Sequence, residues 1–451
     1  MPVSVVLLGD ARPTDHGRLV IRVVVFLDMR SRSAVEMLSA GEADEVVFEI
    51  LGGETGRADP YPLYRRLREG RAVHCSPSTG VWFVSDYGVA KHVLHDPRFG
   101  RGNGSMMGAM ADAEVAVRSG EMRRASRNML FADPPDHTRL RGLVSRAFTP
   151  RRVEELRPRL VELVDPLFDA AGGGQDVDLL DAVAFRFPVA VIGELVGVPE
   201  EDRDQFRTLV RASTAMIEAA PSAEALADAQ RSMGEMSEYF HDLVARRRRR
   251  PSGDLLSAMI AIEDADGDRL TEDELVSTAI LLFGAGFETT TNLIGNGTLC
   301  LLRHPDQLAR LRADPSLLLT AVEEMLRFES PVQLDARTAL VDAEVDGHPV
   351  EAGTSVVTFL GAANRDPQVF TEPDVFDVGR SPNNPLSFGW GIHHCLGAHL
   401  ARLEGEVVFG RMLERFARIE LIEEPTWRQS ITLRGLEGLR VTAVTDPELT
   451  S

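Results

Sequence analysis

Apolar residues recur at three- to four-residue spacing along most of this chain from Asp59 to Arg327, and at every second position in two later stretches. The first pattern predicts a helix-rich lobe. The second, Val341 to Leu360 and Ile419 to Val444, predicts a smaller lobe of strands, with Asp346-Gly347 as a hairpin turn in the former. The longest helix candidate spans Thr271 to Arg303. Thr271 and Glu274 stand at capping-box spacing and Pro305 follows its end. Because Leu275 to Phe287 is largely apolar, this helix is expected to run through the interior rather than over it. Inside it Gly284 and Gly286 weaken the helix, and the Thr289 hydroxyl can reach the carbonyl of Ala285 and open a local bulge. The expected architecture is therefore mainly α with a smaller β lobe.

Composition narrows the choice of function. The chain has 451 residues and a formal net charge of −20, which argues against nucleic-acid or anionic-membrane binding, since both require a basic surface. No Pro/Gly/Ser-rich linker or internal repeat divides it, so one large domain is expected. Its three cysteines suit a reducing compartment rather than a disulfide framework. No apolar run reaches the roughly 18 residues needed to cross a bilayer; the best N-terminal stretch, Val20 to Leu27, is short and holds Arg22. A cytoplasmic protein without a membrane anchor is expected.

One cysteine stands apart from the other two. Cys395 lies in Phe388-Gly-Trp-Gly-Ile-His-His-Cys-Leu-Gly397, just before an apolar helix expected from Leu396 to Phe416. Gly389, Gly391 and Gly397 allow a tight backbone to turn N–H groups toward the sulfur, and the helix adds its positive end. Taken alone, a single cysteine is more often an apolar filler. Zinc would call for further ligands at short spacing, yet Cys75 and Cys300 lie far off in sequence.

Phe388, Gly389, Gly391, His393, Cys395 and Gly397 together resemble the haem-binding signature of the cytochrome P-450 monooxygenases. The resemblance extends to the order of three motifs: the acid–threonine helix, Glu-x-x-Arg, then the cysteine loop. It implies haem b ligated by Cys395, lying between the long distal helix and the proximal loop. It places Ala285, Phe388 and Gly397 among the cofactor-binding residues. It also implies that Glu288 and Thr289 manage protons, the alternative being that Thr289 back-bonds and Glu288 merely forms a salt bridge. His137 and Arg141, at i, i+4 after Asp133-Pro134-Pro135-Asp136, would hold a haem propionate together with Arg337 and His393; alone they would be an ordinary solvated face. Glu324 and Arg327 share a helix face at i, i+3. By resemblance Arg380 completes a buried network that scaffolds the loop. The substrate pocket is expected to involve Met106, Met107, Met110, Leu281, Gln333, Leu334 and Thr432, the methionines as a deformable wall or as plain packing.

The resemblance further implies a monooxygenase of the soluble bacterial kind, inserting one oxygen atom of O2 into an apolar small molecule by hydroxylation or epoxidation, in secondary metabolism. No flavin or nicotinamide Gly-x-Gly-x-x-Gly unit is present, so electrons are expected from a separate ferredoxin and ferredoxin reductase docking near Arg139, Arg146 and Arg402. A monomer is expected. A haem-based sensor or carrier, a peroxide-driven peroxygenase and a nitric-oxide reductase of the same fold are the rival readings. Residues 1–40 form an N-terminal extension, for which Met37 offers an alternative start, and residues 41–451 form a single haem domain.

Overall fold

A computed structural model of the chain describes residues 37–102, 128–218, 221–262 and 267–445. The expected extension up to residue 36 and the pocket methionines Met106, Met107 and Met110 lie outside the described residues.

The long helix runs from Glu272 to Arg303, with Thr271 as its N-cap. The capping box closes: Glu274 N–H donates to the Thr271 hydroxyl, and Thr271 N–H donates to the Glu274 carboxylate at 2.8 Å. The helix spans about 48 Å at 1.5 Å per residue. Its apolar side chains divide between two cores. The N-terminal half packs Phe283 and Phe287 against Phe206 and Phe240, with ring centroids of Phe206 and Phe283 4.7 Å apart. The C-terminal half packs against helices Arg157–Ala171 and Ala398–Arg415. Gly286 marks a close crossing, since a Cβ there would stand 2.8 Å from Ile192 of helix Arg186–Val196.

The main sheet is stitched from distant segments: β1 (Val73–Cys75), β2 (Trp82–Val84), β3 (Phe99–Gly100), β5 (Leu334–Ala339) and β8 (Ser355–Phe359), in the order β1-β2-β8-β5-β3. β4 (Gly173–Asp178), β9 (Phe416–Leu421) and β10 (Arg440–Thr445) make a second sheet with β10 in the middle. The stretch expected as alternating strands breaks up: β6 (Ala343–Val345) and β7 (His348–Val350) form the hairpin over Asp346 and Gly347, whose φ angles are 51° and 75°. β1, β2 and β3 were hidden from periodicity because strands of two or three residues offer too few alternations to register. Their pairing matters for function. The antiparallel register of β3 on β5 sets Gly100 opposite Thr338 and so brings Arg101 beside Arg337.

From Leu38 onward the chain forms one compact unit. Leu38 is buried against Gly70, and Ser39 caps the first helix, Ala40–Gly52, through a capping box with Glu42. Packing therefore begins slightly before the boundary expected at residue 41. No helix among the described residues is long and apolar enough to cross a membrane.

Candidate active site

A cavity of about 340 Å³ lies between the long helix and the cysteine loop. Leu281, Ala285, Thr289, Leu334, Thr432 and Cys395 are among its lining residues. The loop's shape follows from its glycines. Gly389 and Gly391 have φ of 67° and 74°, which favours glycine, and a Cβ on Gly391 would press to 2.4 Å from the Leu94 carbonyl. Cys395 N–H donates to Phe388 O at 2.9 Å, which folds the loop back and aims the sulfur into the cavity.

The sulfur is open to the cavity, and burial pushes its thiol up. Backbone N–H groups of Gly397 and Ala398 and the guanidiniums of Arg141 and Arg402 oppose this without overcoming it. Desolvation outweighs them, and a cation at the sulfur would reverse the balance. Among the described residues no cluster of three or more His, Cys, Asp or Glu could hold a metal ion, so none of them supplies further ligands beside Cys395. A porphyrin would supply them.

Beside the sulfur stands a group of nitrogen donors with no partner. Arg101 and Arg337 each direct Nη1 at Oδ1 of Asp335, both at 2.8 Å, while Arg101 Nε and Arg337 Nη2 are buried without a hydrogen bond. His137 and His393 pack with ring centroids 4.4 Å apart, and Nε2 of each is likewise buried and unpartnered. Burial, then the neighbouring guanidiniums, pushes His393 down to about 2, and burial lowers His137 in the same way. Two cations and two neutral imidazoles with spare nitrogens suit a pair of carboxylates, which is what haem carries as propionates. Arg101 was not anticipated from the sequence. Arg141, expected in this group, also lines the cavity, and its Nη2 donates to His394 O at 2.6 Å, which braces the cysteine loop.

On the opposite wall Thr289 Oγ1 donates to Ala285 O at 2.8 Å, as the spacing implied. The helix nonetheless stays α-helical throughout, so the expected bulge does not form. A carbonyl has two lone pairs, and the hydroxyl can use one without displacing the backbone bond. Glu288 is only 2% exposed and does not line the cavity. Its Oε1 pairs with Arg428, and its Oε2 is buried with no partner. Both contacts of the alternative reading are present, the Thr289 back-bond and the Glu288 ion pair, and the two side chains diverge because neighbours on a helix point about 100° apart. Glu404, missed from the sequence, does reach the cavity. It is 2% exposed with Oε2 unpartnered, and burial pushes its carboxyl well above the usual range. Its signal was an acid inside the stripe Leu400, Leu403, Val407, Val408 of an otherwise apolar helix face.

Behind the loop, Arg327 and Glu324 are fully buried and bidentate, with Nε–Oε2 at 2.7 Å and Nη2–Oε1 at 2.8 Å. Arg380 Nε lies 3.1 Å from both carboxylate oxygens. Arg327 Nη1 donates to the Asn364 carbonyl, and the Asn364 side chain bonds Ser387 Oγ at 2.9 Å and accepts Leu386 N–H at 2.6 Å. The ion cluster is thereby connected to the two residues just ahead of Phe388. Gln333, expected in the pocket, is buried elsewhere: its amide donates to Ser330 O at 2.8 Å and its Oε1 accepts from Tyr64 OH at 3.1 Å. Arg139 and Arg402, expected to face a partner, are held by acids of this chain. Arg139 pairs with Asp268 and Glu274, and Arg402 with Glu323.

Comparison with known proteins agrees with this arrangement. The family model described as Cytochrome P450 matches residues 78–430. The chain is 44% identical over 398 residues to cytochrome P450 monooxygenase PikC of Streptomyces venezuelae, covering 86% of this chain and 92% of that one. It is 42% identical over 390 residues to vitamin D(3) 25-hydroxylase of Pseudonocardia autotrophica, covering 85% and 94%. Among solved structures, P450BioI in complex with hexadec-9Z-enoic acid ligated acyl carrier protein superposes with a TM-score of 0.79 at 40% identity, covering 85% of this chain and 98% of that one.

Proposed function

The chain belongs to the cytochrome P450 family as a monooxygenase that binds haem b, and from that premise we propose that it inserts one oxygen atom of O2 into an apolar small molecule of bacterial secondary metabolism. The observation that carries this reading is the placement of Cys395 Sγ and the Thr289 hydroxyl in one apolar cavity, with unpartnered nitrogen donors beside the sulfur. Cys395 would ligate the iron, and His137, Arg141, Arg337 and His393, joined by Arg101, would hold the propionates. Ala285, Phe388 and Gly397 flank the cofactor. When bound, haem supplies oxygen binding and O–O cleavage favoured by the thiolate.

The chain's own groups do the rest. Apolar walls exclude water and orient the substrate carbon. Thr289 holds a hydroxyl proton at the cavity surface, and Glu288, one residue earlier and paired with Arg428, is the carboxylate assigned with it to proton management. Glu324, Arg327 and Arg380 keep the loop in place. Residues 41–451 act as a single haem domain. A separate ferredoxin and its reductase supply electrons at the cysteine-loop face, in the cytoplasm, to a monomer. The substrate is a sizeable apolar metabolite of polyketide, macrolide or terpenoid type. Relatives named for vitamin D(3) hydroxylation and solved with a hexadecenoyl group support large apolar ligands.

The retained Glu288 and Thr289 favour turnover over a sensor or carrier and over a peroxygenase. The test is the reduced carbon monoxide adduct: it should absorb as thiolate-ligated haem, Cys395→Ala should abolish that band, and oxygen uptake with product should require reductant. A globin-like spectrum would remove the foundation of this assignment.

A further inference from the structure

Above the cavity, two chain segments from different parts of the molecule meet at one carboxylate. The short turn Thr214–Ile217 follows helix Phe206–Ser213 and brings Ile217 onto the cavity wall. Facing it is the loop that brings Thr432 and Leu433 onto the same wall. Glu218 spans the two. Its Oε1 accepts the Ser430 hydroxyl, and its Oε2 accepts the N–H groups of Ile431 and Thr432, each at 3.4 Å. Ser430 Oγ in turn accepts Leu433 N–H at 3.1 Å, which tightens the loop under the carboxylate.

The two sides are anchored differently. The loop is fastened to the body at several points: Gln333 N–H donates to Thr432 O at 3.0 Å, Arg434 N–H donates to Pro331 O at 2.9 Å, and Asn296 Nδ2 donates to Arg434 O at 3.0 Å. Helix Phe206–Ser213 is pinned at its start, where Phe206 packs 4.7 Å from Phe283 of the long helix and 4.9 Å from Tyr239, and again at Val210, buried against Gly284 of the long helix. Beyond Val210 the segment is held at Glu218 by hydrogen bonds, with the cavity wall at Ile217 just before it.

We infer that Glu218 is a positioning residue for the monooxygenase: it fastens the cavity roof and so sets how fast, and how large, a molecule passes in and out. This rests on the proposed haem site for its ligand readout. Bonds to a charged acceptor are stronger than neutral ones, so losing all of them should speed passage on the order of tenfold. A single acceptor oxygen, as in Glu218→Gln, keeps part of the effect.

The experiment uses the haem-loaded protein and two probes that ligate iron, imidazole and the bulky clotrimazole, followed by rapid-mixing absorbance. Glu218→Ala should accelerate clotrimazole binding and release together by roughly tenfold with little change in Kd, and leave imidazole rates as they are. Glu218→Gln and Ser430→Ala should give smaller accelerations, and Ser430→Ala should add nothing in the Glu218→Ala background. In hydrogen exchange, peptides from residues 206–217 should exchange faster in Glu218→Ala. Unchanged clotrimazole rates, or equal acceleration of both probes, would overturn the inference. A protein that shows no haem absorbance sinks the functional reading instead, and the exchange measurement then judges the latch alone: unchanged exchange refutes it.

Discussion

Glu288 pairs with Arg428 on the side of the long helix turned away from the cavity that its neighbour Thr289 lines. The pair joins helix to β lobe across 140 positions of sequence, and both side chains are largely buried. Arg428→Ala should therefore strand a buried carboxylate and cost about 3–5 kcal/mol in urea unfolding. Thr289→Ala should leave stability nearly unchanged, since it removes one hydroxyl bond to a carbonyl of its own helix, but should divert reduced oxygen to hydrogen peroxide. Peroxide yield per electron measures this, and unchanged coupling would reduce Thr289 to packing.

Asp335 offers an acid-side test. Burial alone would raise its carboxyl, but Arg101 and Arg337 more than offset this and hold it at about 2 against an ordinary value of 3.8. A depressed carboxylate contributes stability in full above its unfolded pKa and loses it as pH falls through the folded one. The stability gap between the wild type and Asp335→Asn should shrink by about 2 kcal/mol between pH 4 and pH 2. A gap that stays constant over that window would contradict the assignment.

Glu404 should behave with the opposite sign. Burial raises its carboxyl well above 4.5, so the folded protein keeps the proton while the unfolded chain releases it. That contribution is full below about pH 4.5 and declines as pH rises toward the folded pKa. Glu404→Gln cannot ionise, so it should match the wild type near pH 4 and become the more stable of the two at pH 8. Equal stability of the two at pH 8 would show that Glu404 is better solvated than its position indicates.

The Arg327 cluster should matter through Asn364. Arg327→Ala should leave Glu324 buried and short of its main partner, a loss of about 3–5 kcal/mol that leaves little folded protein. Asn364→Ala removes bonds to Leu386 and Ser387 while sparing the ion pair, so it should cost less, about 1–3 kcal/mol. Its distinguishing readout is haem retention: the variant should lose cofactor faster on dilution into apomyoglobin than its modest destabilisation would produce elsewhere in the fold.

What could be read in advance was what depends on near neighbours in the chain. Thr271 and Glu274 close their capping box, Thr289 reaches Ala285 one turn back, Glu324 meets Arg327 at i, i+3, and Asp346-Gly347 turns a hairpin. Each is governed by spacing within one element, so periodicity and residue type are enough to foresee it. The ten-residue loop around Cys395 belongs with them, since its glycines and its following helix are contiguous.

Whatever needs a partner from far along the chain was decided by packing. Adjacency paired Glu288 with Thr289, but burial required a countercharge and Arg428 supplies it. His137 and Arg141 share a helix face yet diverge, one toward His393 and the other to the His394 carbonyl. Arg101 joins Arg337 only through the β3–β5 register, and Gln333 leaves the pocket because two tyrosines and a carbonyl already satisfy its amide. A one-dimensional pattern reports which face of an element is apolar. It does not report which polar group waits on the other side, and in a low-dielectric interior that partner determines where a charge can stand.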